Sequence, residues 1–198
     1  MSFRIEEKLM ISKNSLIDFK RFIFEKKAKL LYPKRIINSL YFDNEKYQMY
    51  DDSIEGLVPR KKIRIRHYPN EKKVLYLELK ISSEEGRFKK RKIIEEKEFY
   101  QLKRDGIFDE QYGFCKPVLF VNYEREYFLV DDVRISIDTD ITYTSYIGSH
   151  LGNDSNCAVE LKANYKKNKN TLLNQFPFQR TRFSKYCNGI EKNQFINI

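Results

Sequence analysis

Cysteine and histidine are scarce in this chain, which has three of the first and two of the second in 198 residues. Cys115, Cys157 and Cys187 are odd in number and far apart, and His67 and His150 stand alone. Neither a disulfide framework nor a structural zinc site is expected from that spacing. There is no Walker A loop, no Gly-rich nucleotide fingerprint and no cysteine and histidine placed as a catalytic pair. The seven glycines and five prolines gather into no linker, so a single domain over 1–198 is expected. Internal repeats, heptads and low-complexity tracts are also missing. No stretch approaches the roughly 20 apolar residues of a spanning helix. "MSFRIEEKLM" carries charge where a signal peptide would have its apolar run, and a cytoplasmic protein without a transmembrane segment is expected.

Charge is what the chain has in excess. Lysine and arginine total 38 against 28 aspartates and glutamates, a formal net charge of +10. Such an excess calls for an anionic partner, whether nucleic acid, an acidic membrane surface or a small polyanion, and the placement of the charges must choose among them. Periodicity predicts a mainly β protein with strands over 3–11, 35–42, 61–68, 74–81, 87–94, 120–130, 133–142 and 158–163. "SLIDFKRFIFEKKAKLL" predicts an amphipathic helix capped by Ser12 or Asn14. Shorter helices are predicted over 96–103, stopped by Gly106, and 183–190. Turn signals at "DNEK", "YPNEKK" and "SSEEG" join neighbouring strands into an antiparallel meander.

Alternate residues of a strand share a face. In "RKKIRIRHY", Lys62, Arg64, Arg66 and Tyr68 point one way, and Lys61, Ile63, Ile65 and His67 the other. Tyr76, Glu78 and Lys80 oppose Leu75, Leu77 and Leu79, whose apolar face is expected to be the packed one. Arg4, Glu6 and Lys8 share a face, as do Tyr123 and Arg125, then Arg134, Ser136 and Asp138, then Lys89 and Arg91, then Glu160 and Lys162. One ionic face is ordinary in an antiparallel sheet; repetition over seven strands is not. Closing such a sheet into a barrel would turn the polar faces inward under an outer layer of helices, making a charged tunnel. Like charges gathered there need a polyanion, and the interspersed carboxylates suit Mg²⁺ or Mn²⁺. A metal–triphosphate fits this mixture better than nucleic acid does, since a nucleic-acid groove has little use for carboxylates.

"RIEEK", "NSLYFDNEKYQMY", "RKKIRIRHY", "YLELK", "YEREYF", "RISIDTD", "VELK" and "RFSKYCNGI" follow one another in the order of the VTC family, which the chain resembles over nearly its whole length. That family is the polyphosphate polymerase branch of the triphosphate tunnel metalloenzymes, a CYTH-like superfamily. The resemblance implies a closed eight-stranded antiparallel β-barrel with flanking helices. It also implies transfer of the γ-phosphate of ATP to a growing polyphosphate chain. Arg64, Arg66, Lys80 and Arg125 are implied as phosphate ligands, Glu160 as a metal ligand and Lys185 as a phosphate contact at the tunnel end.

Phosphoryl transfer needs positioning and charge neutralisation more than covalent help. Arg64, Arg66, Lys80, Arg125 and Lys185 are therefore the candidate catalytic residues. Arg4, Lys8, Lys62, Lys89, Arg91, Arg134 and Lys162 extend the phosphate-binding set, and Glu6 assists Glu160 on the metal. Hydrolytic relatives carry two glutamates and a lysine where this chain has Arg4, Glu6 and Lys8, which favours the polymerase over a triphosphatase. A triphosphatase and a non-catalytic polyphosphate or nucleotide sensor remain as alternatives, and the oligomeric state stays open.

Overall fold

The computed structural model describes residues 4–69, 74–164 and 169–196, without the side chains of Arg4, Lys169, Gln194, Phe195 and Ile196. In chain order the elements are β1 (Arg4–Ser12), α1 (Lys13–Glu25), β2 (Lys29–Asp43), α2 (Gln48–Glu55), β3 (Arg60–His67), β4 (Leu75–Ser83) and β5 (Gly86–Ile94). There follow α3 (Glu96–Asp105), β6 (Ile107–Asp109), β7 (Gly113–Val130), β8 (Val133–Ser145), β9 (His150–Asn153), β10 (Asn156–Asn164), α4 (Lys169–Gln175) and α5 (Lys185–Ile196). Hydrogen bonds join the strands in the order β1, β10, β8, β7, β2, β3, β4, β5, with β6 on β7 and β9 on β8. The ladders β1–β10, β10–β8, β2–β3, β3–β4 and β4–β5 are antiparallel. The mainly β antiparallel sheet is as expected, but the closed eight-stranded barrel is not. Among the described residues the order is a path ending at β1 and β5, and the short strands β6 and β9 add to it. The end strand β5 carries Arg87, Lys89, Lys90, Arg91 and Lys92 in succession, and charge of one sign along an edge opposes further pairing.

Residue packing divides the chain into two compact units. The first comprises Met1–Arg35, Tyr123–Ile141 and Asn153–Phe183. Its core is built from alternate residues of four strands: Leu9 and Ile11, Val159 and Leu161, Ile135 and Ile137, Phe128 and Val130. Phe19 and Ile23 of α1 and Leu172 and Phe176 cover that face, and truncating one such phenylalanine costs about 3–5 kcal/mol. The helix begins where Ser12 Oγ accepts from Ser15 N at 3.1 Å, as its sequence predicts. It ends earlier than expected. Lys27 takes a left-handed φ of 58°, Lys27 N donates to Phe24 O at 2.9 Å and Ala28 N to Ile23 O at 3.0 Å. This is a Schellman closure made without glycine, so "AKLL" leads into β2 instead of prolonging α1.

The second unit comprises Ile36–Asn122, Thr142–Gly152 and Ser184–Ile198. Leu40 and Phe42 of β2 stand opposite Ile65 and Ile63 of β3, and all four are buried. Between them Ser39, Tyr41 and Asp43 point to the other face and are buried too. The Asp43 carboxylate accepts from Met49 N and Tyr50 N, both at 3.1 Å, and so caps α2 from outside the helix. In α5, a Cβ on Gly189 would lie 2.3 Å from Leu119 Cδ2 and 2.7 Å from Tyr143 Cδ1. Only glycine lets that helix pack so closely. Ser83 and Gly86 pair across the Glu84–Glu85 turn, as "SSEEG" predicts; residues 70–73 of the "YPNEKK" turn lie outside the described residues. On β4 the expectation inverts: Leu75, Leu77 and Leu79 are only half-buried, whereas Glu78 is completely buried. No helix among the described residues is long and apolar enough to cross a membrane.

Candidate functional site

Three rows of directly opposed residues cross the polar face of the second unit. One runs Tyr41, Arg64, Glu78, Arg91; the next runs Lys62, Lys80, Lys89; a third runs Ser39, Arg66, Tyr76, Ile93. Facing residues of an antiparallel pair share a side of the sheet, and like charges directly opposite destabilise it. A row of three lysines is therefore a feature that an anion would relieve.

Glu78 is the hub of this face. Its Oε2 accepts from Arg64 Nε at 2.8 Å and Arg64 Nη2 at 2.6 Å, with Arg66 Nη1 at 3.8 Å. Its Oε1 is held by Lys89 Nζ and lies 3.6 Å from Arg91 Nε. Burial alone would raise the Glu78 pKa, but Arg64, Arg66 and Lys89 hold it far below the usual carboxylate range. The remaining Arg64 nitrogen, Nη1, donates to the Tyr41 hydroxyl at 2.9 Å. Tyr41 is buried, which opposes ionisation, yet Arg64 and Arg66 bring its pKa below the ordinary value, with Lys185 adding to the effect. Lys62 Nζ donates to Ser184 Oγ at 2.8 Å and lies 5.6 Å from the Tyr186 ring centroid. Burial pulls the Lys62 pKa down, as it does for Lys89, where Glu78 offsets part of the effect. Lys80 sits between these two lysines in the ladder with its side chain exposed.

The first unit presents a more balanced polar face. Lys162 stands opposite Glu6 and Arg134, and Glu160 opposite Lys8 and Ser136. Lys162 Nζ is 3.4 Å from Glu6 Oε1 and 3.2 Å from Glu160 Oε2, so two carboxylates bracket one ammonium. Lys8 Nζ donates to Phe183 O at 2.6 Å. Arg125 makes a two-pronged pair with Asp138, with Nη2 to Oδ2 at 2.7 Å. Burial would lower the Arg125 pKa, but Asp138, Tyr123 and Glu160 hold it well above its ordinary value. Arg134 lies against Tyr127 and Tyr32, 5.4 and 5.7 Å from their centroids. Arg4 pairs with Asn164 in the ladder. Its side chain lies outside the described residues.

A family model for the VTC domain matches residues 3–193. The chain belongs to the VTC domain family. Among solved structures, this VTC domain is similar to HpAC1 from Hippeastrum, described as a candidate adenylyl cyclase with a dominant triphosphatase activity. That pair shares 13% identity over 96% of each chain with a TM-score of 0.62. A candidate adenylate cyclase from Bacillus halodurans shares 14% identity over 92% of this chain and 94% of its own, TM-score 0.61. PH1819 from Pyrococcus horikoshii OT3 shares 19% over 96% and 99%, TM-score 0.58. At these identities the likeness establishes a shared fold and nothing finer. Comparison with curated protein sequences finds no match.

The VTC domain thus brings together, within its second unit, Lys62, Arg64, Arg66, Lys80, Lys89 and Arg91, with Lys185 near Tyr41. Within its first unit it brings Glu6, Lys8, Glu160, Lys162, Arg125 and Arg134 onto strands of one ladder series. Sequence reasoning missed Tyr41, Ser39, Asp138 and Tyr186 as partners of these charges and treated Glu78 as one carboxylate among several. The signal for β2 was present: Ser39, Tyr41 and Asp43 alternate with Leu40 and Phe42 in "NSLYFD".

Proposed function

We propose that this VTC domain is an ATP-dependent polyphosphate polymerase, transferring the γ-phosphate of ATP to a growing polyphosphate chain and releasing ADP. The observation that carries this reading is the opposed row Lys62, Lys80, Lys89 beside Arg64, Arg66 and Arg91. Six cations share a sheet face that carries two carboxylates, Glu78 and the Asp43 that caps α2, and a linear chain of phosphates supplies the missing negative charge along such a row.

Arginine forks take phosphate oxygens two at a time and lysines act as point charges. Arg64, fixed by Glu78 and Tyr41, would hold one phosphate in a set orientation, with Arg66 beside it. Lys80, Lys89 and Lys62 would follow the chain, and an arriving phosphate would oppose the burial that lowers the Lys62 pKa. Lys185 is assigned a contact at the edge of the same face. In the first unit, Arg125 is kept charged and oriented by Asp138, while Lys8, Arg134 and Lys162 are further phosphate ligands; Arg4 joins them from its ladder position. The attacking group is a phosphate oxygen, so no side-chain nucleophile is required.

The first unit also fits a divalent cation. Glu6 and Glu160 bracket a single positive group, Lys162 Nζ. Ser136 Oγ, opposite Glu160 in the ladder, is buried with no hydrogen-bond partner among the described residues. Two carboxylates and a hydroxyl are hard oxygen donors suited to Mg²⁺ or Mn²⁺. Among the described residues no group of three His, Cys, Asp or Glu is gathered, so the remaining oxygens would have to come from water and substrate. Such an ion, when bound, supplies neutralisation of phosphate charge.

A second reading is hydrolysis of a triphosphate, drawn from HpAC1, whose fold this chain shares. Incubating the pure protein with ATP and Mn²⁺ or Mg²⁺ and resolving the products separates the two. Acid-labile polymer rising with ADP is the expected result. Orthophosphate without polymer favours the triphosphatase, and no turnover at all leaves a binding module.

A further inference from the structure

The two oxygens of Glu78 serve different kinds of partner. Oε2 belongs to Arg64, whose side chain is 8% exposed and which engages Glu78 through both Nε and Nη2 and Tyr41 through Nη1. Oε1 belongs to Lys89 and Arg91, whose side chains are each 41% exposed. Arg91 also lies over the Tyr76 ring, 3.4 Å from its centroid. Arg64 thus sits in a buried network that fixes its guanidinium, whereas Lys89 and Arg91 meet the same carboxylate from more exposed positions that another anion can reach.

We infer that Glu78 is a positioning residue acting as an internal counterion: it fixes Arg64 permanently and holds Lys89 and Arg91 until a phosphate chain takes them over. The inference rests on the phosphate-binding reading of this face and gives its cations two separate duties. Through Oε2, Arg64 keeps one geometry with or without substrate, which is the preorganisation that phosphoryl transfer rewards. Through Oε1, Glu78 offsets two more exposed cations when no phosphate chain is bound. It also lowers the affinity of the occupied site, so that product can leave. A cationic row with no such counterion would bind its polyanion too tightly to release it.

The test is titration with inorganic triphosphate, alongside steady-state kinetics with ATP, for wild type and Glu78→Gln. Removing the negative charge should tighten triphosphate binding about tenfold. Loosening Arg64 should lower kcat about a hundredfold while KM falls or holds. A merely structural role would raise KM and weaken binding. Weaker binding by a variant that still unfolds cooperatively, well above the temperature of the titration, would overturn the inference. Should the variant fail to fold, wild-type protein labelled with ¹⁵N in arginine and lysine decides the matter. On adding triphosphate, the Lys89 Nζ and Arg91 Nε signals should move while the Arg64 Nε–H stays in place and slow to exchange. Movement of Arg64 with Lys89 and Arg91 unchanged would overturn it. The predicted order of affinities with no polymer formed would support the counterion and overturn the polymerase reading. A wild-type protein that does not bind triphosphate would overturn both.

Discussion

Replacing Arg64 by alanine removes a guanidinium that makes two contacts to Glu78, at 2.8 and 2.6 Å, and one to Tyr41, at 2.9 Å. The side chains of the pair are 8% and 0% exposed, so the modest value of a surface ion pair, about 0–1 kcal/mol, does not apply. Stripping one partner from a buried pair costs about 3–5 kcal/mol, because the other charge stays behind in a poorly solvating place. Lys89, Arg91 and Arg66 still face Glu78, and the carboxyl can take a proton once its main partner is gone. Both effects hold the cost near the lower end, about 3–4 kcal/mol. Against a native stability of about 5–15 kcal/mol that is a severe loss, roughly 6–16 °C in Tm for a chain of this size. Guanidinium chloride unfolding followed by circular dichroism would measure it, with equal m-values confirming that only stability changed. Arg91→Ala is the control: it touches the same carboxylate but is 41% exposed, and should cost about 1 kcal/mol or less. If Arg64→Ala proved no more destabilising than Arg91→Ala, the role of Glu78 as a buried hub would be refuted.

Other outcomes follow from the same geometry. Glu78 is held far below its unfolded pKa of about 4.3, so its contribution to stability is complete above that value and is lost as the pH falls toward the folded pKa. The stability gap between wild type and Glu78→Gln should therefore narrow on acidification below about pH 4; a gap independent of pH in acid would show that Glu78 is not ionised. Gly189→Val, whose side chain would overlap Leu119 and Tyr143, should cost about 1–3 kcal/mol or more in denaturant unfolding, and a neutral result would mean that α5 is free to shift. Glu160→Gln should weaken Mn²⁺ binding, read by water-proton relaxation, and abolish metal-dependent turnover while sparing triphosphate binding. Full activity in that variant would remove Glu160 from the metal site.

Much of the fold was legible because its strands alternate cleanly. "RKKIRIRHY" and "VELKA" assign each side chain to a face by parity alone, and the ladders pair those faces as the alternation requires. What escaped was decided by contacts that parity does not carry. The left-handed turn after α1 falls on Lys27, a residue with no helix-stop signal, so the predicted helix ran on into β2. The cap of α2 comes from Asp43, which lies before the helix, instead of from Tyr47 at its N-terminus. Burial of Glu78 was concealed by its leucine neighbours, because hydropathy ranks an isolated glutamate as exposed and cannot register the cations brought to it from β3 and β5. The spacing of Arg64 and Arg66 marked them as ligands; only the structure shows that one of them is committed to a buried carboxylate.

The most direct test of the phosphate-binding face is calorimetric titration of inorganic triphosphate into wild type and Lys80→Gln. Lys80 lies midway along the lysine row yet is exposed, so its replacement should leave the fold intact. Wild type should bind, more weakly as salt rises, and the variant should lose about tenfold or more in affinity at an unchanged melting temperature. Equal affinity for the two proteins, or no heat from either, would contradict the assignment of this face to a phosphate chain.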